Sequence, residues 1–299
     1  MRRQTVLAKS AGMQARLTWY NPGEAMPVHG HRAHQLSWLL SGEMCETSRG
    51  TARELVRISR GIKPAGLPHA NLYGPAGALV LALNIEPDAP LCADLTLPGD
   101  WDWSAPSAEI SHEIQRILVA LHDGAISADL ALSDLAGRAL EGEGETTGRP
   151  AASADRWLNR VREQLRDDPD EPDMQQLAAQ AGIHRVHLSR RFTRQYGLPP
   201  SLYRLRCKLG RAISGLMQGE SAADAAQAGG FADQAHFTRA ARRQTGMTPS
   251  HLRALLAAWP DAGPVTCVQD VRAARPLDSS TDWPKPWPPD GETQACCVN

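Results

Sequence analysis

Two segments of the chain present arginine together with short polar side chains. The first segment contains Arg185, Ser189, Arg190 and Arg194, and the second contains Gln234, Thr238, Arg239, Arg242 and Arg243. Arginine hydrogen-bonds to guanine and to phosphate, whereas Gln, Ser and Thr hydrogen-bond to base edges. These residue types therefore predict recognition of double-stranded DNA.

The two segments belong to an internal repeat that covers residues 174–253. The sequence AAQAG occurs at Ala178–Gly182 and again at Ala225–Gly229, and HLSRR at His187–Arg191 corresponds to HFTRA at His236–Ala240. From His187 onward the two copies keep a constant offset of 49 residues. A repeat of this size indicates that one supersecondary unit occurs twice.

Each copy has the pattern of a helix-turn-helix. A helix of small residues, Gln175–Ala181 or Ala222–Ala228, is followed by a glycine that can adopt the left-handed conformation of a tight turn. A second helix begins behind a polar cap, which is His184 or a residue beside it in the first copy and Asp233 in the second. The alanines of the first helix let the second helix cross it closely.

The repeat resembles the paired helix-turn-helix domain of the AraC/XylS family of bacterial transcription regulators. The second copy contains most of the family's signature, namely Gly230, Phe231, Asp233, His236, Phe237, Arg239, Arg242, Gly246, Thr248, Pro249 and Arg253. Two expected packing positions depart from the family, since Ala241 replaces the usual Phe and Leu252 the usual Tyr. The resemblance implies that Val186 and Ala235 also face base edges, beside Ser189, Arg190, Gln234 and Arg239.

The charge of the chain is distributed unevenly. The net charge is −1, but residues 174–258 contain 12 Lys and Arg against 3 Asp and Glu, a balance of +9. Residues 1–151 contain 13 basic against 17 acidic residues, a balance of −4. A basic module beside an acidic one is typical of a DNA-binding domain with a separate sensor.

The N-terminal third reads as short strands separated by Gly and Pro, which predicts a small barrel or sandwich. Within it, Gly23, His29, His31, Gln35 and Gly42 have the spacing of the first cupin motif, with Gln35 where Glu is usual. Pro64, Gly66 and His69 resemble the core of the second motif, although its Asn is displaced or missing. The resemblance implies a cupin-like double-stranded β-helix, which is also the usual sensor domain of AraC-type regulators.

In cupins the residues that match His29, His31, Gln35 and His69 converge on a divalent metal inside the barrel. Imidazole suits Zn, Fe, Ni or Mn, and the neutral Gln amide is a weaker ligand than Glu. The alternative, which we favour, is that no metal is present and that these residues either line a pocket for a small-molecule effector or are residual. The residues of such a pocket would be His29, His31, His34, Gln35 and His69. No cofactor is assigned, and a divalent metal in the barrel stays open.

The chain therefore divides into a multidomain α+β architecture. We expect a sensor at 1–95, a helical segment at 96–140, a flexible linker at 141–152, the all-α DNA-binding domain at 153–258 and a disordered tail at 259–299. Apolar stripes in Ile110–Leu121 and Leu130–Leu140 either close onto the barrel or pair with a second subunit. The family resemblance favours the second option and hence a homodimer.

The six cysteines lack disulfide or zinc spacing, and neither a signal peptide nor a run of 18 apolar residues is evident. We therefore expect a cytoplasmic protein that does not enter the membrane.

The function that these features predict is a sequence-specific, effector-responsive transcription regulator that is not an enzyme. Its expected partners are double-stranded DNA, a small-molecule effector, a second copy of the chain and RNA polymerase. The alternative is a metal-dependent cupin enzyme with an appended DNA-binding domain.

Overall fold

The computed structural model describes residues 3–94, 101–104, 108–140, 156–167, 173–257 and 267–268. Strands come first and helices follow, which confirms the predicted α+β architecture. The strands are β1 Arg3–Ser10, β2 Met13–Tyr20, β3 Ala25–His31, β4 His34–Ser48, β5 Thr51–Leu55, β6 Ser59–Lys63, β7 His69–Ile85, β8 Asp102–Ser104 and β9 Cys267–Val268. The helices are α1 Pro90–Asp94, α2 Ala108–His122, α3 Ala128–Leu140, α4 Arg156–Asp167, α5 Met174–Gln180, α6 Arg185–Tyr196, α7 Pro200–Gln218, α8 Ala222–Ala228, α9 Gln234–Thr245 and α10 Pro249–Ala257.

Two long strands, β4 and β7, organise the N-terminal sheet. They pair with each other antiparallel, β7 also pairs with β2 and β3, and β4 also pairs with β5 and β6. The register between them shifts at Leu39/Ser41 and again at Gly42/Met44. Because a bulge bends a strand, the two halves of β4 contribute to different parts of the sheet.

Gly42 sits at this irregularity because no other residue fits there. Its φ is +82°, and an added Cβ would overlap the carbonyl oxygen of Gly77 on the neighbouring strand. The glycine of the first predicted motif is therefore needed for close approach of two backbones.

The two faces of β4 pack against different partners, since successive side chains of a strand alternate. Leu36, Trp38 and Leu40 lie in a core with β2, the helices α2 and α3, and the second half of the DNA-binding domain. Leu39 and Met44 lie in the interior of the N-terminal domain with Trp101 and Trp103.

Helices α2 and α3 close onto the barrel within the same chain. Ile114, Leu118, Leu132 and Leu135 are buried against the strands, so this part of the apolar stripes is already covered. Leu130, which was assigned to the same stripe, is 52% exposed, because its position on α3 points away from the sheet. The side chain of Ile110 lies outside the described ones.

The DNA-binding helices follow the predicted repeat closely. Helices α5 and α6 form the first copy, α8 and α9 form the second copy, and α7 connects them over 19 residues, about 28 Å of helix. Ala241 and Leu252, the two departures from the family, are both fully buried, as expected of packing positions.

The linker proposed at 141–152 and most of the tail lie outside the described residues. Two tail residues, Cys267 and Val268, form β9, which pairs with His31 and Gly30 of β3. The disorder expected for the rest of the tail stays a prediction, as do the domain boundaries.

Candidate DNA-recognition surface and sensor pocket

The two recognition helices, α6 and α9, bury one face and expose the other. Leu188 and Phe192 of α6 and Phe237 and Ala241 of α9 are fully buried. Most of the residues expected to contact DNA are exposed, namely Arg185, Val186, Arg190, Arg194, Gln234, Ala235, Arg239, Arg242 and Arg243, whereas Ser189 and Thr238 are half-buried. Val186 and Ala235 therefore face solvent and not the core, although both are apolar.

Both recognition helices begin at the predicted caps. Nδ1 of His184 accepts a hydrogen bond from the backbone N–H of Val186 at 3.3 Å, and Oδ1 of Asp233 accepts one from His236 at 2.6 Å. Both helices end at a glycine with positive φ, Gly197 at 73° and Gly246 at 77°. Equivalent start and end signals explain why the two helices have the same length of 12 residues.

Arg211 on the connecting helix ties the two halves of the DNA-binding domain together. Its Nη1 donates to the carbonyl oxygen of Arg166 in α4 at 2.6 Å, and its Nη2 donates to the carbonyl oxygen of Gly229 at 3.4 Å. Sequence analysis did not single out this residue, because the partners of a long side chain cannot be read from spacing.

Three of the predicted pocket residues form one cluster inside the N-terminal domain. The ring centroids of His29 and His69 are 4.3 Å apart, and each lies 5.1 Å from that of His31. One ring nitrogen of each histidine lies within 4.8 Å of the others. The strand ends of β3 and β7 bring these residues together, since His29 is the register partner of His69.

Backbone carbonyls hold two of the imidazoles. Nδ1 of His29 lies 2.8 Å from the carbonyl oxygen of Pro27, and Nδ1 of His69 lies 3.0 Å from that of Leu67. A carbonyl only accepts, so each Nδ1 carries the proton and each Nε2 offers a lone pair. Nε2 of His69 is buried and has no hydrogen-bond partner among the described residues.

Two imidazoles of the cluster, those of His31 and His69, are neutral at physiological pH. Burial, together with the neighbouring His69, Lys63 and His29, lowers the pKa of His31 to about 2. Burial and the Lys63 ammonium lower the pKa of His69 to about 4. Neutral imidazole is the form that binds a metal or accepts a hydrogen bond.

A buried ion pair, which was not predicted from the sequence, lies close enough to the histidine cluster to act on the pKa values of His31 and His69. Nζ of Lys63 lies 2.8 Å from Oε2 of Glu46, and both side chains are almost fully buried. The indole N–H groups of Trp101 and Trp103 donate to the other carboxylate oxygen. Burial alone would raise the pKa of Glu46, but Lys63 and His69 oppose it and the resulting pKa is about 2. The two tryptophans are thus packed and hydrogen-bonded inside the barrel.

Gln35 and His34 make other contacts. The Gln35 amide donates to Asn84 at 3.0 Å and accepts from Ser37 at 3.3 Å. His34 precedes it and so lies on the opposite face of β4, where Nδ1 accepts from the backbone N–H of Ala65 at 3.3 Å. The cluster of His29, His31 and His69 does not include His34, and the roles expected of His34 and Gln35 stay predictions.

Residues 177–255 match a family model described as a helix-turn-helix domain. No curated protein matches the chain in sequence. The solved structure of ToxT from Vibrio cholerae O395 is similar over 84% of this chain and 100% of its own, with 11% identity and a TM-score of 0.35.

Two further solved structures are similar. Unsaturated fatty acid bound ToxT from Vibrio cholerae strain SCE256 aligns over 87% of this chain and 97% of its own, with 12% identity and a TM-score of 0.34. A cupin superfamily protein from Desulfitobacterium hafniense DCB-2 aligns over 29% of this chain and 78% of its own, with 22% identity and a TM-score of 0.27.

The matched segment is a helix-turn-helix domain of the AraC type, as its signature residues predict, and it spans both copies. This domain supports assignment of the chain to the DNA-binding transcription regulators. None of the helices in the described part of the chain combines the length and apolar composition needed to span a bilayer.

Proposed function

We propose that the protein is a sequence-specific transcription regulator that reads DNA with both helix-turn-helix copies and responds to a small molecule bound in its N-terminal barrel. The observation that supports this most is the pair of exposed, arginine-bearing helices α6 and α9, both capped in the same way and joined by one helix. Two such helices on a rigid connector fit successive major grooves on one face of the duplex.

The spacing of the DNA elements tests this proposal. Sequences selected from a random pool by the full chain should contain two short elements about 10–10.5 base pairs apart, centre to centre. The elements should differ in sequence, because α6 and α9 present different side chains. Inserting about five base pairs between them turns one element to the far face and should abolish tight binding. A matched insertion outside the two elements is the control. Unchanged binding after the internal insertion would show that one copy alone reads DNA.

The cluster of His29, His31 and His69 supports the sensor part of the proposal. Ring nitrogens of the three histidines lie within 4.8 Å of one another, and the neutral imidazoles of His31 and His69 can coordinate a metal or accept a hydrogen bond. They also fit a divalent metal, because the second nitrogen of a metal-binding histidine typically donates to a carbonyl, as those of His29 and His69 do. The Lys63 charge, which would repel a cation, is neutralised by Glu46. If bound, a metal would supply a positive centre for an electron-rich effector group.

Metal analysis of the purified chain separates the two pocket hypotheses. A metal site predicts close to one bound Zn, Fe, Ni or Mn per chain, and at least about tenfold weaker binding in His69→Gln, since a ligand is lost. A pocket without metal predicts none in either protein. A thermal melt of His69→Gln provides the control, because an unchanged midpoint with a lost transcriptional response indicates a binding role and not a structural one.

The alternative of a metal-dependent enzyme rests on the same cluster. A loss of metal that abolishes turnover of a small substrate but leaves DNA-dependent regulation intact would favour it. Homodimer formation, contact with RNA polymerase and a cytoplasmic location also belong to the proposal. Since the stripes of α2 and α3 are largely buried within the chain, a dimer would need a different surface.

A further inference from the structure

The sheet of the N-terminal domain has one edge that a distant segment of the chain covers. Strand β3 pairs with β7 over Ala25–His29, and its last two residues, Gly30 and His31, pair with β9. Strand β9 consists of Cys267 and Val268 and lies ten residues beyond the end of α10. Because the edge of a sheet presents N–H and C=O groups to which another strand can bind, the covering of this edge has a physical consequence.

The backbone of β3 indicates which groups β9 satisfies. The carbonyl oxygen of His31 accepts a hydrogen bond from the backbone N–H of Gly66, at 2.7 Å, in the turn before β7. Successive residues of a strand direct their backbone groups to opposite edges, so those of Gly30 point to the edge that β9 covers. Val268 is the register partner of Gly30. The N–H and C=O of Val268 therefore complete the backbone hydrogen bonds of Gly30.

The other edge strands in the described part of the chain have protection of their own. The register of β1 shifts between Val6 and Ala8, and such a bulge turns an edge away from a further strand. Strand β5 has five residues, of which Arg53 and Glu54 are charged, and β8 has three residues. Short strands and charged side chains both oppose pairing with another chain. These three edges are therefore poor templates for a further strand.

Strand β3 has such protection over only part of its length. Its register shifts between Met26 and His29, and the residues in between are Pro27 and Val28. Proline has no N–H to donate to a neighbouring strand, so the bulge itself cannot pair regularly. The stretch Gly30–His31 follows the bulge and contains neither proline nor lysine. Among the described residues, it is β9 that covers the edge of this stretch.

We propose that residues 267–268 act as an edge cap of the N-terminal domain, and that the β3 edge beneath them is a surface for strand pairing with a second copy of the chain. Displacement of the edge cap frees the N–H and C=O groups of Gly30 beside the exposed apolar side chain of Val28. Two copies of this edge related by a two-fold axis pair antiparallel, so one surface serves both partners. The edge cap and the surface depend on neither DNA, effector nor metal.

Hydrogen exchange of the full chain, followed by mass spectrometry, tests the edge cap. Val268→Pro removes the backbone donor to Gly30, and exchange in residues 29–32 should rise about two- to tenfold, the range for loss of one net hydrogen bond. Residues 69–72 of β7, on the other side of β3, should change less than about twofold, which shows that the sheet is folded.

Val271→Pro, the same substitution three residues after β9, is the matched control and should leave both segments unchanged. Unchanged exchange of residues 29–32 in Val268→Pro, or an equal rise in Val271→Pro, refutes the edge cap.

Sedimentation velocity of the full chain over a series of protein concentrations tests the pairing surface. Val268→Pro should form a concentration-dependent species of twice the wild-type mass, whereas Val271→Pro should keep the wild-type mass. Adding Val28→Lys to Val268→Pro should remove the heavier species, because a lysine at an edge opposes strand pairing. The side chain of Val28 is 45% exposed, so the sheet can accept a lysine there.

Val28→Lys alone should leave the wild-type mass unchanged, because the edge cap already covers the strand. A single species of wild-type mass in Val268→Pro at every concentration refutes the pairing surface. A heavier species that persists after Val28→Lys is added refutes it as well, since the copies then associate elsewhere. Neither experiment contains DNA, so their failure leaves the proposed function to the test of element spacing.

Discussion

The first and second helix-turn-helix copies begin at side-chain caps, end at a left-handed glycine and have recognition helices of equal length, but their cores differ. In the first copy, the rings of Phe192, Tyr196 and Tyr203 pack together, with centroids 4.6 to 6.4 Å apart. At the positions 49 residues later the second copy has Ala241, Thr245 and Leu252. At these three positions the second copy therefore has no aromatic ring, and its own ring pair is Phe231 with Phe237, whose centroids lie 5.4 Å apart.

This difference explains why the second copy packs against the N-terminal domain. Small side chains leave room for neighbouring elements, and close packing requires that the room be filled. Helix α9 packs on β4, α10 packs on β1, and Gln115 of α2 lies against Gly246 and donates to the carbonyl oxygen of Arg243 at 3.2 Å. A repeated motif can therefore have a core largely of its own in one copy and share a larger core in the other.

The largest expected effect comes from removing one buried ring in each copy. Phe192→Ala and Phe237→Ala should each cost about 3–5 kcal/mol of local stability, since both rings are fully buried. Phe237→Ala should also speed hydrogen exchange in residues 78–85 of the barrel, because the core is shared. Phe192→Ala should leave those residues protected. Equal deprotection of the barrel by both variants would show that the two copies are coupled to it alike.

A smaller effect is expected from arginines on the exposed faces. Arg190→Ala and Arg239→Ala should each weaken binding to selected DNA by about 1–3 kcal/mol and relax preference at one base position, because each removes one base contact. Gel-shift titrations on selected and on random duplex separate base contacts from phosphate contacts. If both duplexes lose the same affinity, the arginines hold phosphate alone. Arg138→Ala, on α3, is the control and should change neither affinity.

The smallest effect is expected at the helix caps. Asp233→Ala should destabilise the second copy by about 1 kcal/mol, a typical value for an N-cap. His184→Ala should cost less, since its bond to Val186 is 3.3 Å long whereas that of Asp233 to His236 is 2.6 Å. Hydrogen exchange of the first turns of α6 and α9 measures both. A larger loss at His184 would contradict the ranking.

Much of the candidate site was predictable because it depends on local sequence. The repeat, its caps, the glycines that end α6 and α9, and the exposed arginines follow from helical spacing and side-chain chemistry within about 50 residues of chain. The convergence of His29, His31 and His69 was likewise anticipated, although by family resemblance and not from geometry. Gln35 and His34 could not be placed from the sequence. Whether each side chain lies near the cluster depends on which face of β4 it occupies and on which neighbouring groups form hydrogen bonds with it.

The sequence by itself determined that the chain carries two helix-turn-helix units behind a β domain, because caps, glycines and apolar periodicity act over a few residues. Only the tertiary structure decided which charges are buried in pairs. Lys63 with Glu46 and Arg162 with Glu54 are separated by 17 and 108 residues along the chain, and nothing in their local sequence specifies a partner. The tertiary structure also decided how the barrel contacts each copy. It shares an apolar core with the second copy, and it contacts α4, beside the first copy, through the buried pair of Glu54 and Arg162. Burial of this kind depends on every element that packs around a side chain.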